Sequence, residues 1–292
     1  MLQQEKNASF FTGPEESNTA CLLLHGFNST PLEMRGLAEA LAGAGIRVYT
    51  MAVAGHTGNP EDLLYTDHRE WIASAEAGLA QLASYPFVFV AGSSMGGALA
   101  LLLASRHPDR ISGIVIMSAF TRVSPPGWQR HLLPLLPLAR HFMKWVYPLA
   151  SYNFDNLAAQ EEILDHAHLQ DPQITIDFSD PKTLATIRST MRLPVHAIGE
   201  LVYLTREQRK RLSTVRSPLL IIHSKRDQMA PPALADELYC LTPAATPKSL
   251  HWLERSHHVI TIGPEREEVY RLVISFIQES RNQQFSNQRV TQ

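Results

Sequence analysis

The chain has 292 residues, 45% of them hydrophobic, with 26 Lys plus Arg against 28 Asp plus Glu. That size and composition suit an α/β fold with a full core. A formal net charge of -2 offers no electrostatic case for binding nucleic acid or an anionic membrane surface, and two cysteines are too few for a disulfide framework.

The N-terminus, Met1-Leu2-Gln3-Gln4-Glu5-Lys6-Asn7, has no basic stretch leading into an apolar run, so it does not read as a secretory signal. No segment reaches the length of about 18 apolar residues that a membrane span needs. The nearest, residues 132–150, is broken by Pro134, Pro137 and Pro148 and carries Arg140, His141 and Lys144. The expectation is a cytoplasmic protein without stable membrane insertion, and no feature signals an oligomeric state. Cys21 and Cys240 are both expected to be core residues in a reducing compartment.

Short apolar runs then alternate with longer amphipathic ones, the pattern of a mainly parallel sheet covered by helices. Strands are predicted at 20–25, 46–51, 87–91, 113–118, 218–223 and 248–253, with an edge strand at 9–11. Helices are predicted at 31–44, 68–84, 95–107, 232–241 and 264–280. Pro31 and Pro264 suit first helical positions, where a missing N–H costs nothing, and Gly45 suits a helix stop. The alternation fails once, from residue 121 to 216, which is too long for a loop in a compact domain. Helical patterns at 158–167 and 181–191 make this stretch a helical cap insertion. The chain therefore divides into core (1–120), cap (121–216), core (217–280) and a Gln/Asn/Ser-rich tail (281–292) expected to fray.

The strongest chemical signal is Gly92-Ser93-Ser94-Met95-Gly96, which follows the strand pattern at 87–91 and opens a helix. A strand–turn–helix with small residues two places either side of a serine is a nucleophile elbow. Gly92 and Gly96 satisfy this about Ser94, whereas centring on Ser93 would put Ala91 and Met95 in those places. This marks an α/β-hydrolase fold with Ser94 as nucleophile. A serine hydroxyl needs a base oriented by an acid, in the chain order Ser, Asp or Glu, His. Asp227 follows the strand at 218–223 after a short loop, with Glu237 as a fallback inside a predicted helix. The base should follow the last strand, where His257 and His258 compete and spacing does not separate them. His25-Gly26-Phe27 ends the strand at 20–25, so the oxyanion donors are assigned to the backbone N–H groups of Phe27 and Met95.

These segments resemble the bacterial carboxylesterases and monoacylglycerol lipases. The resemblance lies in Leu23-Leu24-His25-Gly26-Phe27-Asn28-Ser29-Thr30-Pro31, Gly55-His56-Thr57-Gly58, Ser93-Ser94-Met95-Gly96-Gly97, Asp227-Gln228-Met229-Ala230-Pro231 and Ser256-His257-His258-Val259-Ile260-Thr261. In that family a serine, one variable residue and the catalytic histidine precede the C-terminal helix, which maps the base onto His258. The resemblance implies hydrolysis of carboxylic esters through an acyl-enzyme, without metal or cofactor. His56 is expected to shape a loop beside the oxyanion hole. The pair His196 and Glu200, four residues apart, lacks a third metal ligand of sensible spacing. The insertion is longer than the family's compact lids.

The expected substrate is a small-molecule ester of short to medium acyl length, monoacylglycerols among them. A thioesterase or acyltransferase would use the same triad, and a non-catalytic ligand-binding relative would need a broken one. The run Leu132-Leu133-Pro134-Leu135-Leu136-Pro137-Leu138, followed by Phe142, Trp145, Val146 and Tyr147, is too apolar to leave in water. Trp145 and Leu136 are therefore candidate substrate-binding residues.

Overall fold

The structure, a computed structural model, describes residues 7–123, 134–150, 154–170 and 173–290. The chain begins with β1 (Phe10–Thr12) and β2 (Thr19–Leu24), then a 3-10 turn at Pro31–Met34 leading into α1 (Arg35–Gly43). Next come β3 (Arg47–Met51), α2 (His68–Ala80), β4 (Phe87–Ser93), α3 (Met95–Arg106) and β5 (Ile111–Met117). The insertion contains α4 (Leu136–Ala139), β6 (Trp145–Val146), α5 (Leu157–Gln170), α6 (Pro181–Thr190), β7 (Leu193–Pro194) and α7 (Val195–Arg209). The core resumes with β8 (Leu219–Ser224), α8 (Ala233–Leu241), β9 (Lys248–Leu253) and α9 (Arg266–Val290).

All six predicted core strands and the edge strand form. They build one seven-stranded sheet in the order β1-β3-β2-β4-β5-β8-β9, parallel throughout except for β1 against β3. The near-continuous apolar runs follow from burial on both faces. On β2, Ala20, Leu22 and Leu24 face the α2, α3 and α7 side, while Cys21 and Leu23 face α1 and α9. Parallel order also puts the C-terminal ends of β4, β8 and β9 on one edge, where α/β sheets place their sites. Among the described residues, no helix is long and apolar enough to cross a membrane.

α7 packs on α2 and α3 through Ala197, Leu201 and Leu204. Its buried Glu200 accepts from His68 Nδ1 at 2.6 Å, pinning α7 to the start of α2. His196 lies at 4.0 Å from the same carboxylate and contacts the Thr66 carbonyl.

Four expectations need correction. The insertion is not purely helical, because β6 and β7 pair antiparallel, Trp145 opposite Pro194 and Val146 opposite Leu193. Two-residue strands are too short to leave a periodic signal. Second, the apolar run is not packed away: Leu138 is 61% and Phe142 81% exposed, because the four-residue α4 turns only one side towards α7. Leu132 and Leu133 lie outside the described residues. Third, the last helix does not stop at Ser280. It continues to Val290 through residues such as Gln and Arg that lose little in a helix, and Gln284 Nε2 donates to the Ser112 carbonyl at 2.7 Å. Fourth, Cys240 is exposed, because α8 buries the face carrying Leu234, Ala235 and Leu238. Cys21 is buried, and burial pushes its thiol up to about 12.

Candidate active site

The turn after β4 is built from close approach. A Cβ added to Gly92 would lie 2.1 Å from the Gly96 carbonyl oxygen, and one added to Gly96 would lie 2.1 Å from that of Leu24. Only glycine lets β2, β4 and α3 meet here. Ser94 between them takes φ 50 and ψ -111, a left-handed conformation costly for a side-chain-bearing residue, and its N–H donates to the Met117 carbonyl at 2.9 Å. The turn thus carries the Ser94 hydroxyl to the front of α3.

Three sequence-predicted side chains meet there. His258 Nε2 lies 3.0 Å from Ser94 Oγ, and His258 Nδ1 lies 2.8 Å from Asp227 Oδ2. An ionised carboxylate only accepts, so the Nδ1 proton faces Asp227 and Nε2 is left to accept from the serine. Asp227 is buried just past β8, and its other oxygen accepts from the N–H groups of Met229 (3.0 Å) and Ala230 (2.7 Å). These bonds fix the carboxylate plane. His257 is aimed elsewhere: its Nε2 is 3.5 Å from Glu161 of α5. Glu237 is occupied away from the site, accepting from Thr121 Oγ1 (2.6 Å), Arg209 (2.9 Å) and Arg122.

The loop after β2 lies against the serine, since a Cβ on Gly26 would be 3.7 Å from Ser94 Cβ. Met95 opens α3, so its N–H has no intrahelical acceptor. The Phe27 ring is held between His56 and Trp71, each at a centroid distance of 5.9 Å. His25 fixes the loop from behind: Nδ1 donates to the Gly26 carbonyl at 2.9 Å and Nε2 accepts from the Val53 N–H at 3.2 Å. Glu33 completes the support, its buried carboxylate accepting the Gly26 N–H at 3.2 Å. Trp71 and Glu33 left no signal in the sequence, because each sits inside an ordinary amphipathic pattern.

Burial, reinforced by neighbouring His56, pulls His25 down to about 3, and burial lowers His56 to about 4. Both rings are therefore neutral around pH 7. Between about pH 6.5 and 4 the unfolded chain binds protons that these folded rings refuse, so folding stability falls as the pH falls. Denaturant unfolding at pH 7.5 and pH 5 is expected to show a lower stability at pH 5. His25→Asn, removing one contributor, is expected to narrow the difference, and an unchanged difference would contradict this origin.

The structure sets Leu136 and Trp145, both half-buried, in the insertion. The Trp145 ring is covered by the Arg192 guanidinium at 4.4 Å and approached by the Lys144 ammonium at 5.3 Å.

The family described as serine aminopeptidase S33 matches residues 15–265. The thermostable monoacylglycerol lipase of Bacillus sp. (strain H-257) is 30% identical over 263 residues, covering 90% of this chain and 91% of that protein. The carboxylesterase of Bacillus subtilis (strain 168) is 25% identical, covering 89% and 92% respectively. A solved structure from work on two metagenome-derived lipolytic enzymes is 26% identical and superposes with a TM-score of 0.74, covering 94% of this chain and 98% of that one. Matched along nearly all of its core, the chain belongs to the serine aminopeptidase S33 family and is a hydrolase of the α/β-hydrolase fold.

Proposed function

We propose that the chain is a serine esterase in which Ser94, His258 and Asp227 act as nucleophile, base and orienting acid. Ser94 Oγ attacks the ester carbonyl carbon while His258 Nε2 takes its proton. The backbone N–H groups of Phe27 and Met95 receive the charge that builds on the carbonyl oxygen. His258 then protonates the departing alkoxide, leaving an acyl-enzyme, and water repeats the sequence to release the acid and restore Ser94. The steps use only water and groups of the chain. The observation that carries the reading is one imidazole within hydrogen-bond distance of both Ser94 Oγ and Asp227 Oδ2.

The same triad serves esters, thioesters and amides. The lipase and carboxylesterase relatives favour the oxygen ester, and the substrate class is short- to medium-chain acyl esters, monoacylglycerols included. Residues 121–216 are the cap that shapes this choice. A panel of matched esters, thioesters and aminoacyl anilides tests the bond type, with esters expected to turn over fastest.

Acyl length gives a sharper test. Burying one methylene is worth roughly 0.8 kcal/mol, so kcat/KM should rise about fourfold per added CH₂ until the pocket fills. The expected preference climbs from acetyl to about hexanoyl or octanoyl esters and then levels. Trp145→Ala is expected to flatten that climb while sparing acetyl-ester turnover. A parent enzyme fastest on acetyl esters would reject an acyl pocket under the cap.

A further inference from the structure

Polar side chains outside the triad grip the backbone that carries His258. The carboxylate of Glu265, just before α9, accepts from the backbone N–H groups of Glu254 (3.1 Å), Arg255 (2.9 Å) and Ser256 (2.7 Å). It also accepts from Ser256 Oγ at 2.8 Å. Burial alone would raise this carboxyl, but the hydroxyl and the three N–H donors outweigh it and hold the group down to about 2. Glu265 is therefore a carboxylate at any working pH. Its cationic neighbour Arg255 is 66% exposed and 4.0 Å away, so the hydrogen bonds are its main engagement.

The same segment is tied to the other two loops of the site. Ser224, at the end of β8, donates its hydroxyl to the Ser256 carbonyl and accepts the Arg226 N–H at 3.1 Å, one residue before Asp227. Ser118, buried after β5 at φ 54, donates its hydroxyl to the His258 carbonyl, and its own N–H donates to the Ile222 carbonyl at 2.9 Å. The adjacent Met117 carbonyl holds the Ser94 N–H. The chain from Glu254 to His258 has no helix or strand of its own, so these side chains replace a regular backbone ladder.

We propose that Glu265 is a positioning residue for the reaction, fixing residues 254–256 so that His258 Nε2 stands at bonding distance from Ser94 Oγ. This rests on the esterase reading above. A reacting geometry tolerates roughly 0.5 Å, and an error near 1 Å can cost about a hundredfold in rate.

The test is steady-state kinetics on one short-chain ester with Glu265→Gln and Ser256→Ala, below their thermal unfolding transitions. In Glu265→Gln an amide NH₂ replaces one acceptor and meets N–H donors face on. We expect kcat to fall about ten- to hundredfold with KM within about twofold of the parent. Ser256→Ala removes only the hydroxyl bond and should lower kcat about three- to tenfold, again without a KM change. A folded Glu265→Gln with kcat within about twofold of the parent would overturn the proposal, as would a change confined to KM. If Glu265→Gln does not fold, Ser256→Ala decides by the same criterion. Ser94→Ala is measured alongside. If it keeps the parent's turnover, the esterase reading fails and takes this inference with it; if it is inactive while Glu265→Gln matches the parent, only the positioning role falls.

Discussion

Ser94→Ala is expected to lower ester turnover by about a millionfold while leaving the unfolding midpoint close to that of the parent. Among the described residues the hydroxyl is hydrogen-bonded to His258 Nε2, and its loss opens no cavity and strands no deeply buried donor. Alanine at φ 50 is no more strained than serine. In the proposed mechanism, by contrast, all the covalent chemistry passes through that oxygen. Ser93→Ala is the matched control, since Ser93 is the buried last residue of β4 and faces no triad member in a hydrogen bond. Activity of Ser94→Ala within tenfold of the parent would remove Ser94 from the reaction.

The second large effect separates two adjacent histidines. His258→Ala is expected to cost about as much as loss of the serine, because the nucleophile then has no base and Asp227 nothing to orient. His257→Ala should stay within about tenfold, because its ring turns to Glu161 of the insertion, 3.5 Å away. Turnover of the two variants on one ester decides the matter. The reverse ranking would shift the base by one residue and leave the 3.0 Å contact between His258 and Ser94 without a catalytic meaning.

Much of this architecture is legible in the sequence, for a definite physical reason. Strands buried on both faces read as unbroken apolar runs, so β2, β4, β5 and β8 announce themselves. The glycines of the elbow are equally readable, because no other residue fits where Gly92 meets Gly96. Ser94, Asp227 and the histidine pair at 257 and 258 stand out because each follows a strand and falls in the expected chain order. What stays hidden depends on tertiary contact. Spacing treats His257 and His258 alike, and within the sequence only the family resemblance ranks them. Glu265 falls at the start of a helix, where an acidic residue is ordinary, and its four donors come from a loop that folds back on it. The exposure of Phe142 is invisible for the same reason: apolar character says that burial is favourable, but not that a partner surface is supplied.

The central claim is that Ser94 is the activated nucleophile. Labelling the folded chain with a fluorophosphonate, followed by identification of the modified peptide, tests it most directly, since the probe bonds to a serine activated by its base. One label per chain is expected, on the peptide that contains Ser94, absent from Ser94→Ala and strongly slowed in His258→Ala. Labelling of a different serine, or no labelling of folded protein, would contradict the account.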